Sequence, residues 1–240
     1  MISVCMATYN GEKFIKKQLE SIISQLSNDD ELIISDDGSN DKTIEIIKSF
    51  NDKRIKIFQH QNKINKYYKK SKVAMVTYNF ENALNYASGD IIFLSDQDDI
   101  WYPTKISKTV PLLTKSNLVL SNFSIIDETG NIKIQKYMKK CPFSKILLKN
   151  ILFPPFLGCA MAFSSDVLKK ALPIPEKVCI HDLWIGLVAQ KMDKIIYLDE
   201  PLIYHRFWSS NTSNYGKKSE NTLIMKFVYR FWNLIEIIKR

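Results

Sequence analysis

The sequence predicts an α/β fold, with a mainly parallel sheet carrying helices on both faces. Two observations predict it. Short apolar runs alternate with helical-period segments from the N-terminus to about residue 95. The runs are apolar at consecutive positions, as in Leu32-Ile33-Ile34 and Ile91-Ile92-Phe93-Leu94, which suits strands buried on both faces.

The elements follow in order. Ile2 to Ala7 is the first strand and ends in Thr8-Tyr9-Asn10-Gly11, a turn. Phe14, Ile15, Gln18, Leu19, Ile22 and Leu26 recur at helical spacing. Glu31 to Ser35 is the second strand and runs into Asp36-Asp37-Gly38-Ser39-Asn40-Asp41. Ile44, Ile47 and Phe50 mark the next helix, and Ile55 to Phe58 the third strand. Residues 60–72 are polar and basic and read as a loop. Phe80, Ala83, Leu84 and Ala87 form a helix stopped by Ser88-Gly89, and Ile91 to Ser95 is a buried strand entering Asp96 directly. A helix is expected from Pro103 to about Lys115, with short strands at Leu118–Ser121 and Phe123–Ile126. Residues 127–157 read as irregular and Lys-rich. Gly158–Phe163 is a strand, 165–172 a helix, and Asp182 starts a further helix; Ile195–Leu198 and Leu202–His205 are the last strands. At the end, Ile224, Phe227, Val228, Phe231, Ile235 and Ile238 share one helical face, giving a cationic amphipathic helix. The expected organisation is one domain over 1–212, with halves 1–101 and 102–212, and a tail over 213–240.

The chain has 240 residues and 45% hydrophobic content, ordinary for a globular protein. Its 34 Lys+Arg against 25 Asp+Glu give a net charge of +9. A basic surface attracts phosphates, anionic lipid or nucleic acid without choosing among them. The four cysteines form no CxxC pair, so a zinc ribbon is not supported, and their usage fits a reducing cytoplasm. The N-terminus lacks a signal-peptide pattern, and no apolar run is long enough to span a bilayer.

The strongest chemical signal is Ser95-Asp96-Gln97-Asp98-Asp99-Ile100-Trp101. Three carboxylates crowd the end of a buried strand, where ligands of open α/β sheets bind. Their mutual repulsion is relieved by a divalent cation such as Mg²⁺ or Mn²⁺, which shares its shell with phosphate oxygens. The competing reading is an acidic turn or helix cap. Asp36-Asp37-Gly38-Ser39 offers acceptors for a nucleobase or ribose, or a turn capped by Ser39. Asp182, beside Trp184 at a helix start, is a candidate general base or simply an N-cap. His205 and Arg206 are placed to offset diphosphate charge, or to pair on the surface.

In combination these motifs resemble a bacterial family 2 glycosyltransferase. The matching pieces are Val4 to Gly11, Ser35 to Asp41, Asn79-Phe80-Glu81-Asn82-Ala83-Leu84, Gly89 to Trp101, Gly158 to Phe163, and His181-Asp182-Leu183-Trp184. The resemblance covers roughly residues 1–212, and the Asp-Gln-Asp-Asp form is similar to a rhamnosyltransferase-like subgroup. It implies the GT-A fold, a nucleotide-binding, Rossmann-like sheet flanked by helices. It implies that Ala7, Thr8 and Tyr9 line the nucleoside pocket and that Asp37 binds the base. Asp96 would contact ribose or donor sugar, Asp98 the metal, and Asp99 would place donor or acceptor. Asp182 would be the catalytic base. The chain departs from the family pattern in a missing glycine at 62–72, in Leu183, and in the order of His205 and Arg206.

The expected function is inverting transfer from a UDP- or dTDP-sugar to a glycan or lipid-linked acceptor in bacterial surface polysaccharide (lipopolysaccharide or capsule) synthesis. A divalent Mn or Mg ion is the expected cofactor. The expected location is the cytoplasm, at the inner face of the membrane, with the tail touching anionic lipid. A sugar nucleotidyltransferase is one rival, although Ala7-Thr8-Tyr9-Asn10-Gly11-Glu12-Lys13-Phe14 lacks a Gly-rich phosphate loop. A basic polyanion-binding module is the other, drawing on Lys66-Tyr67-Tyr68-Lys69-Lys70. No recognisable nucleic-acid motif accompanies it, and nucleic acid is not an expected partner.

Overall fold

The structure, a computed structural model, describes residues 1–60, 66–68, 71–192, 194–207 and 223–240. The first half comprises β1 (Ile2–Thr8), α1 (Ile15–Ile23), β2 (Glu31–Asp36), α2 (Thr43–Ser49), β3 (Ile55–Gln59), α3 (Lys72–Asn85) and β4 (Ile91–Ser95). Its strands lie in the order β3-β2-β1-β4 and are all parallel. The chain moves outward from β1 to β3, then returns through α3 to lay β4 on the other side of β1. That reversal opens a crevice beyond the carboxyl ends of β1 and β4.

Both faces of these strands are covered, as the unbroken apolar runs require. Val4, Met6, Leu32, Ile34 and Phe93 pack with Ile15, Leu19 and Ile22 of α1. Their neighbours Cys5, Ile33, Ile92 and Leu94 point the other way, towards Phe80, Ala83 and Leu84 of α3. Each such fully buried aliphatic side chain contributes about 1.5–3 kcal/mol.

The second half adds β5 (Ile100–Trp101), α4 (Lys105–Leu113), β6 (Leu118–Ile126), β7 (Ile132–Ile134), α5 (Leu147–Leu152), a 3₁₀ turn (Gly158–Ala160), β8 (Met161–Ser164), α6 (Ser165–Ala171), α7 (His181–Lys191), β9 (Ile195–Arg206) and α8 (Leu223–Lys239). The same sheet continues as β4-β8-β6-β9-β5, with β7 on β6. β8 is antiparallel to both its neighbours, whereas β9 is parallel to β6. The longest registers belong to parallel pairs, so the sheet is mainly parallel. It runs through both expected halves. The expected boundary at 212/213 lies outside the described residues, as do much of the 60–72 loop and, from Lys66-Tyr67-Tyr68-Lys69-Lys70, the last two residues.

Six elements differ from expectation. Residues 118–126 form one strand, not two. Buried Asn122, which looks like a break, donates to the Met138 carbonyl at 2.7 Å and the Tyr197 hydroxyl at 2.9 Å, and the register with β9 shifts there. It marks an irregularity inside a strand rather than an end. β9 likewise runs through Asp199-Glu200-Pro201. Gly158–Ala160 is a turn, so β8 starts at Met161, and the irregular stretch contains β7 and α5. α3 starts at Lys72, capped by Ser71, ahead of the visible apolar period. Its early buried residues include Thr77 and Asn79, whose polar groups bond across to Cys179 and Thr8.

α8 packs on α5 and α7. Its buried positions are Tyr229, Asn233 and Ile237, while Phe227, Phe231 and Ile238 stay exposed. The helix therefore docks through a different face from the apolar one visible in the sequence.

Candidate active site

The crevice is built from strand ends. At the end of β1, the Thr8 hydroxyl donates to Asp36 Oδ2 at 2.7 Å, and its carbonyl accepts from the Asp37 N–H at 3.0 Å and Asn79 Nδ2 at 3.1 Å. Ala7 is partly buried, and Tyr9 is exposed. Asp36 is occupied by its own turn, accepting from the Gly38 and Ser39 N–H groups and the Ser39 hydroxyl. Gly38 adopts φ +79°, a conformation that the turn reserves for glycine. Asp37 is buried and lies 2.9 Å from His60 Nδ1. The structure thus separates the two aspartates, Asp36 closing the turn and Asp37 facing His60.

Gln97 ties β1 to β4, a role the sequence reading missed. Its Oε1 accepts the Tyr9 N–H at 2.9 Å, and its Nε2 donates to the Tyr9 carbonyl at 2.9 Å. The amide sits so close to Gly11 that a Cβ there would lie 2.4 Å from Oε1. Gly11 is the only trace of this contact in the sequence.

The three aspartates occupy different depths. Asp99 is fully buried. Its Oδ1 lies 2.9 Å from His205 Nδ1 and accepts the Arg206 N–H at 3.0 Å. Burial pushes the Asp99 carboxyl up, but the His205 charge and these hydrogen bonds override it and hold the carboxyl below its usual range. Burial would lower the His205 imidazole, yet Asp99 raises it to about 9. Asp96 and Asp98 are partly exposed. Burial, then the charges of Asp99 and Asp98, push Asp96 up to about 7, and Asp182 adds to the push. Asp182 therefore shares the electrostatic environment of the cluster although it comes from α7.

Arg206 is spent on the backbone. Its guanidinium donates to the carbonyls of Asp98 at 2.9 Å and of Asp127 and Glu128 at 3.0 Å, and lies 4.5 Å from the Phe14 ring centre. It fixes the loop that carries the carboxylates. Lys105, a second residue missed in the sequence, is buried beneath them. Its Nζ donates to the Cys159 carbonyl at 2.6 Å and sits 4.7 Å from the Trp101 ring centre. Burial lowers its ammonium to about 8. In a Lys-rich chain nothing local sets this lysine apart.

Asp182 stands on the first turn of α7. Its Oδ1 accepts the Leu183 N–H at 2.7 Å and its Oδ2 the Gly158 N–H at 3.2 Å. A Cβ at Gly158 would lie 3.5 Å from the Asp182 Cβ and 3.6 Å from Leu94 Cδ1. Gly158 thus brings Asp182 close to Leu94 of β4.

Asp96, Asp99, Cys159 and His205 bring one donor atom each within 4.8 Å of one another. The set is mixed. Burial and the charges of Asp99 and Asp96 push the Cys159 thiol well up, so it stays protonated, and Asp99 is committed to His205 and Arg206. A hard cation takes carboxylate oxygens, and the electrostatic strain on Asp96 is what such a cation relieves. The carboxylates of this group therefore suit Mn²⁺ or Mg²⁺, with Asp96 the less committed of the two; Asp98, the expected metal ligand, is not one of the four residues.

The model for the family described as glycosyl transferase family 2 matches residues 3–172. The chain belongs to this family. The match stops short of Asp182. Among curated relatives, the chain is 38% identical over 217 residues to the dTDP-rhamnosyl transferase RfbG of Shigella flexneri, covering 86% of this chain and 72% of RfbG. It is 30% identical over 237 residues to WfgD of Escherichia coli, a UDP-Glc:α-D-GlcNAc-diphosphoundecaprenol β-1,3-glucosyltransferase, covering 98% of this chain and 85% of WfgD. The chain spans 66% and 73% of the length of two further relatives. Among solved structures, it resembles Staphylococcus aureus TarS 1–349 in complex with UDP-GlcNAc at TM-score 0.67 and 20% identity, over 89% of this chain and 61% of that one. It also resembles the Pyrobaculum calidifontis mannosyltransferase PcManGT in complex with GDP-Man and Mn²⁺ at TM-score 0.58 and 19% identity, over 83% and 54%. These likenesses show the GT-A fold.

Proposed function

We propose that this protein is an inverting, metal-dependent glycosyltransferase that moves a hexosyl or deoxyhexosyl group from a UDP- or dTDP-sugar to a lipid-linked glycan in surface-polysaccharide assembly. The observation that supports the reading most is that Asp182, from α7, lies close enough to the carboxylate cluster to raise Asp96, and accepts the N–H of Gly158, the neighbour of Cys159 in that cluster. Carboxylates from separate elements thus meet in one region, which suits a donor and an acceptor brought together. The relatives RfbG and WfgD support the nucleotide and acceptor classes, and the Mn²⁺ of PcManGT supports the metal.

In this reading Ala7, Thr8 and Tyr9 form the floor of the nucleoside pocket, and Tyr9 offers an exposed ring for a base to stack on. Asp37 accepts from the base, its geometry set by His60. Asp96 and Asp98 hold the cation. When bound, the cation acts as a Lewis acid that neutralises charge on the diphosphate leaving group. His205 and Arg206 support the donor from behind, through Asp99 and through the Asp98 carbonyl. Asp182, its carboxylate aimed by the N–H groups of Leu183 and Gly158, takes the proton of the acceptor hydroxyl as that oxygen attacks the anomeric carbon. Holding both substrates in line supplies much of the acceleration.

Product analysis with Mn²⁺ and a panel of nucleotide sugars tests this. Glycosyl transfer with release of nucleoside diphosphate is expected, whereas pyrophosphate release would mean nucleotidyl transfer.

A further inference from the structure

α5 and α8 together carry a group of exposed large apolar side chains not used by the site. Leu148 and Leu152 of α5, with Ile146 and Phe153 at its ends, are exposed, and Phe153 is 76% exposed. On α8 the exposed set is Phe227, Phe231 and Ile238, with Phe227 at 70%. Phe227 and Phe231 are one turn apart, with ring centres 6.4 Å from each other. The two helices pack against one another, which brings the two sets into neighbouring elements. The inner face of α8 is already occupied, through Tyr229, Asn233 and Ile237. The outer phenylalanines are therefore not waiting to close onto the domain.

The charge around these residues is predominantly positive. Between Thr129 and Ser165 the chain has lysines, including Lys139, Lys140, Lys145 and Lys149, and no acidic residue. α8 carries Lys226, Arg230 and Lys239 against the single acidic residue Glu236, which pairs with Lys239. A second copy of the chain would bring like charges together on such a face. An anionic lipid surface complements both properties, taking the aromatic and aliphatic side chains below the headgroups and the ammonium groups at them.

The geometry points to the α5–α8 face as a docking surface for an anionic bilayer, one that sets Asp182 towards a lipid-linked acceptor. The inference rests on the proposed function for the nature of that acceptor. α8 packs on α7, whose first turn carries Asp182. Phe153 and Gly158, which donates to Asp182, are separated by at most about 18 Å of extended chain. A phosphate-anchored acceptor at the membrane surface therefore reaches the crevice without leaving the bilayer. The sequence points only to the tail helix. α5, hidden in a stretch that reads as irregular, supplies the other half of the surface, while Tyr229 of α8 packs with Cys179, three residues before Asp182.

The test is co-sedimentation of the full chain with vesicles of phosphatidylglycerol and phosphatidylcholine, and with phosphatidylcholine alone, in the absence of donor. Binding to the anionic vesicles that weakens with added salt is expected. The triple variant Phe153→Ser, Phe227→Ser, Phe231→Ser, all at exposed positions, should lose binding by at least about tenfold. Lys145→Glu with Lys149→Glu should also weaken it, while both variants keep wild-type thermal melting. No binding by the wild-type chain, or unchanged binding by both variants, overturns the inference. So does a concentration-dependent dimer that the triple variant abolishes, since it assigns the face to a second copy. Transfer to a short soluble acceptor is measured separately: vesicle binding without transfer would sink the proposed function and leave the surface standing, and transfer without vesicle binding would do the reverse.

Discussion

The two halves of the sheet reach the crevice by different means. In the parallel half each functional group lies at the end of its strand, as Thr8 closes β1, Asp37 follows β2 and Asp96 follows β4. Local sequence places them. In the half that begins at β5, the groups arrive through long-range pairing. His205 meets Asp99 across 106 residues, and Asp182 meets Gly158 across 24. One half offers a binding surface made by strand geometry, and the other adjusts it through buried polar contacts. A crevice so divided can keep one side while the other varies.

That division can be broken from the acceptor side first. Asp182→Asn keeps its neighbours but loses the base, so transfer should fall by about 10²–10⁴-fold while donor-linked thermal stabilisation persists. Full activity in this variant would remove Asp182 from catalysis. Asp98→Ala should do the opposite, abolishing Mn²⁺-dependent stabilisation by the donor in the same melting assay.

A third substitution strikes the contact joining the halves. His205→Ala strands the buried Asp99 charge and should destabilise the protein by about 3–5 kcal/mol in denaturant titration. The same pair gives a pH signature. His205 is raised to about 9 in the folded protein from an ordinary 6.5, so its contribution is complete below about pH 6.5 and lost as pH rises through 9. The melting temperature of the metal-free protein should fall over that window, and His205→Asn should flatten the fall. The smallest effect is expected at Gln97. Gln97→Ala removes two hydrogen bonds to Tyr9, each contributing about 0.5–1.5 kcal/mol. The donor KM should rise roughly tenfold with kcat little changed, and a kcat loss without a KM change would show that the amide does not position the donor.

Legibility followed the same line between the halves. The parallel strands and their carboxylates were readable because burial on both faces leaves unbroken apolar runs that stop at the site. Asn122 misled because a buried polar residue inside a strand resembles a loop until its partners are known. The first turns of α3 were invisible to apolar periodicity because their buried side faces the crevice through Thr77 and Asn79. Lys105 could not be found at all, since its burial depends on β8 and the 3₁₀ turn more than fifty residues later. On α8 the amphipathic pattern was right but its orientation was not legible, because a helix with apolar residues on two sides does not say which side the domain takes.

The Gln97 contact also bears on how the protein comes to be competent. Tyr9 and Gln97 are 88 residues apart, and their amides can pair only after β1 and β4 are in register. Until then the turn after β1 has nothing to fix it against the carboxylate loop. A chain still emerging from the ribosome, with β1 to β3 assembled, holds the nucleoside side of the crevice without its wall. Closing so long a loop is a late and entropically costly step. Acquisition of donor affinity during refolding should therefore coincide with completion of the sheet, which makes the donor itself a reporter of the finished fold.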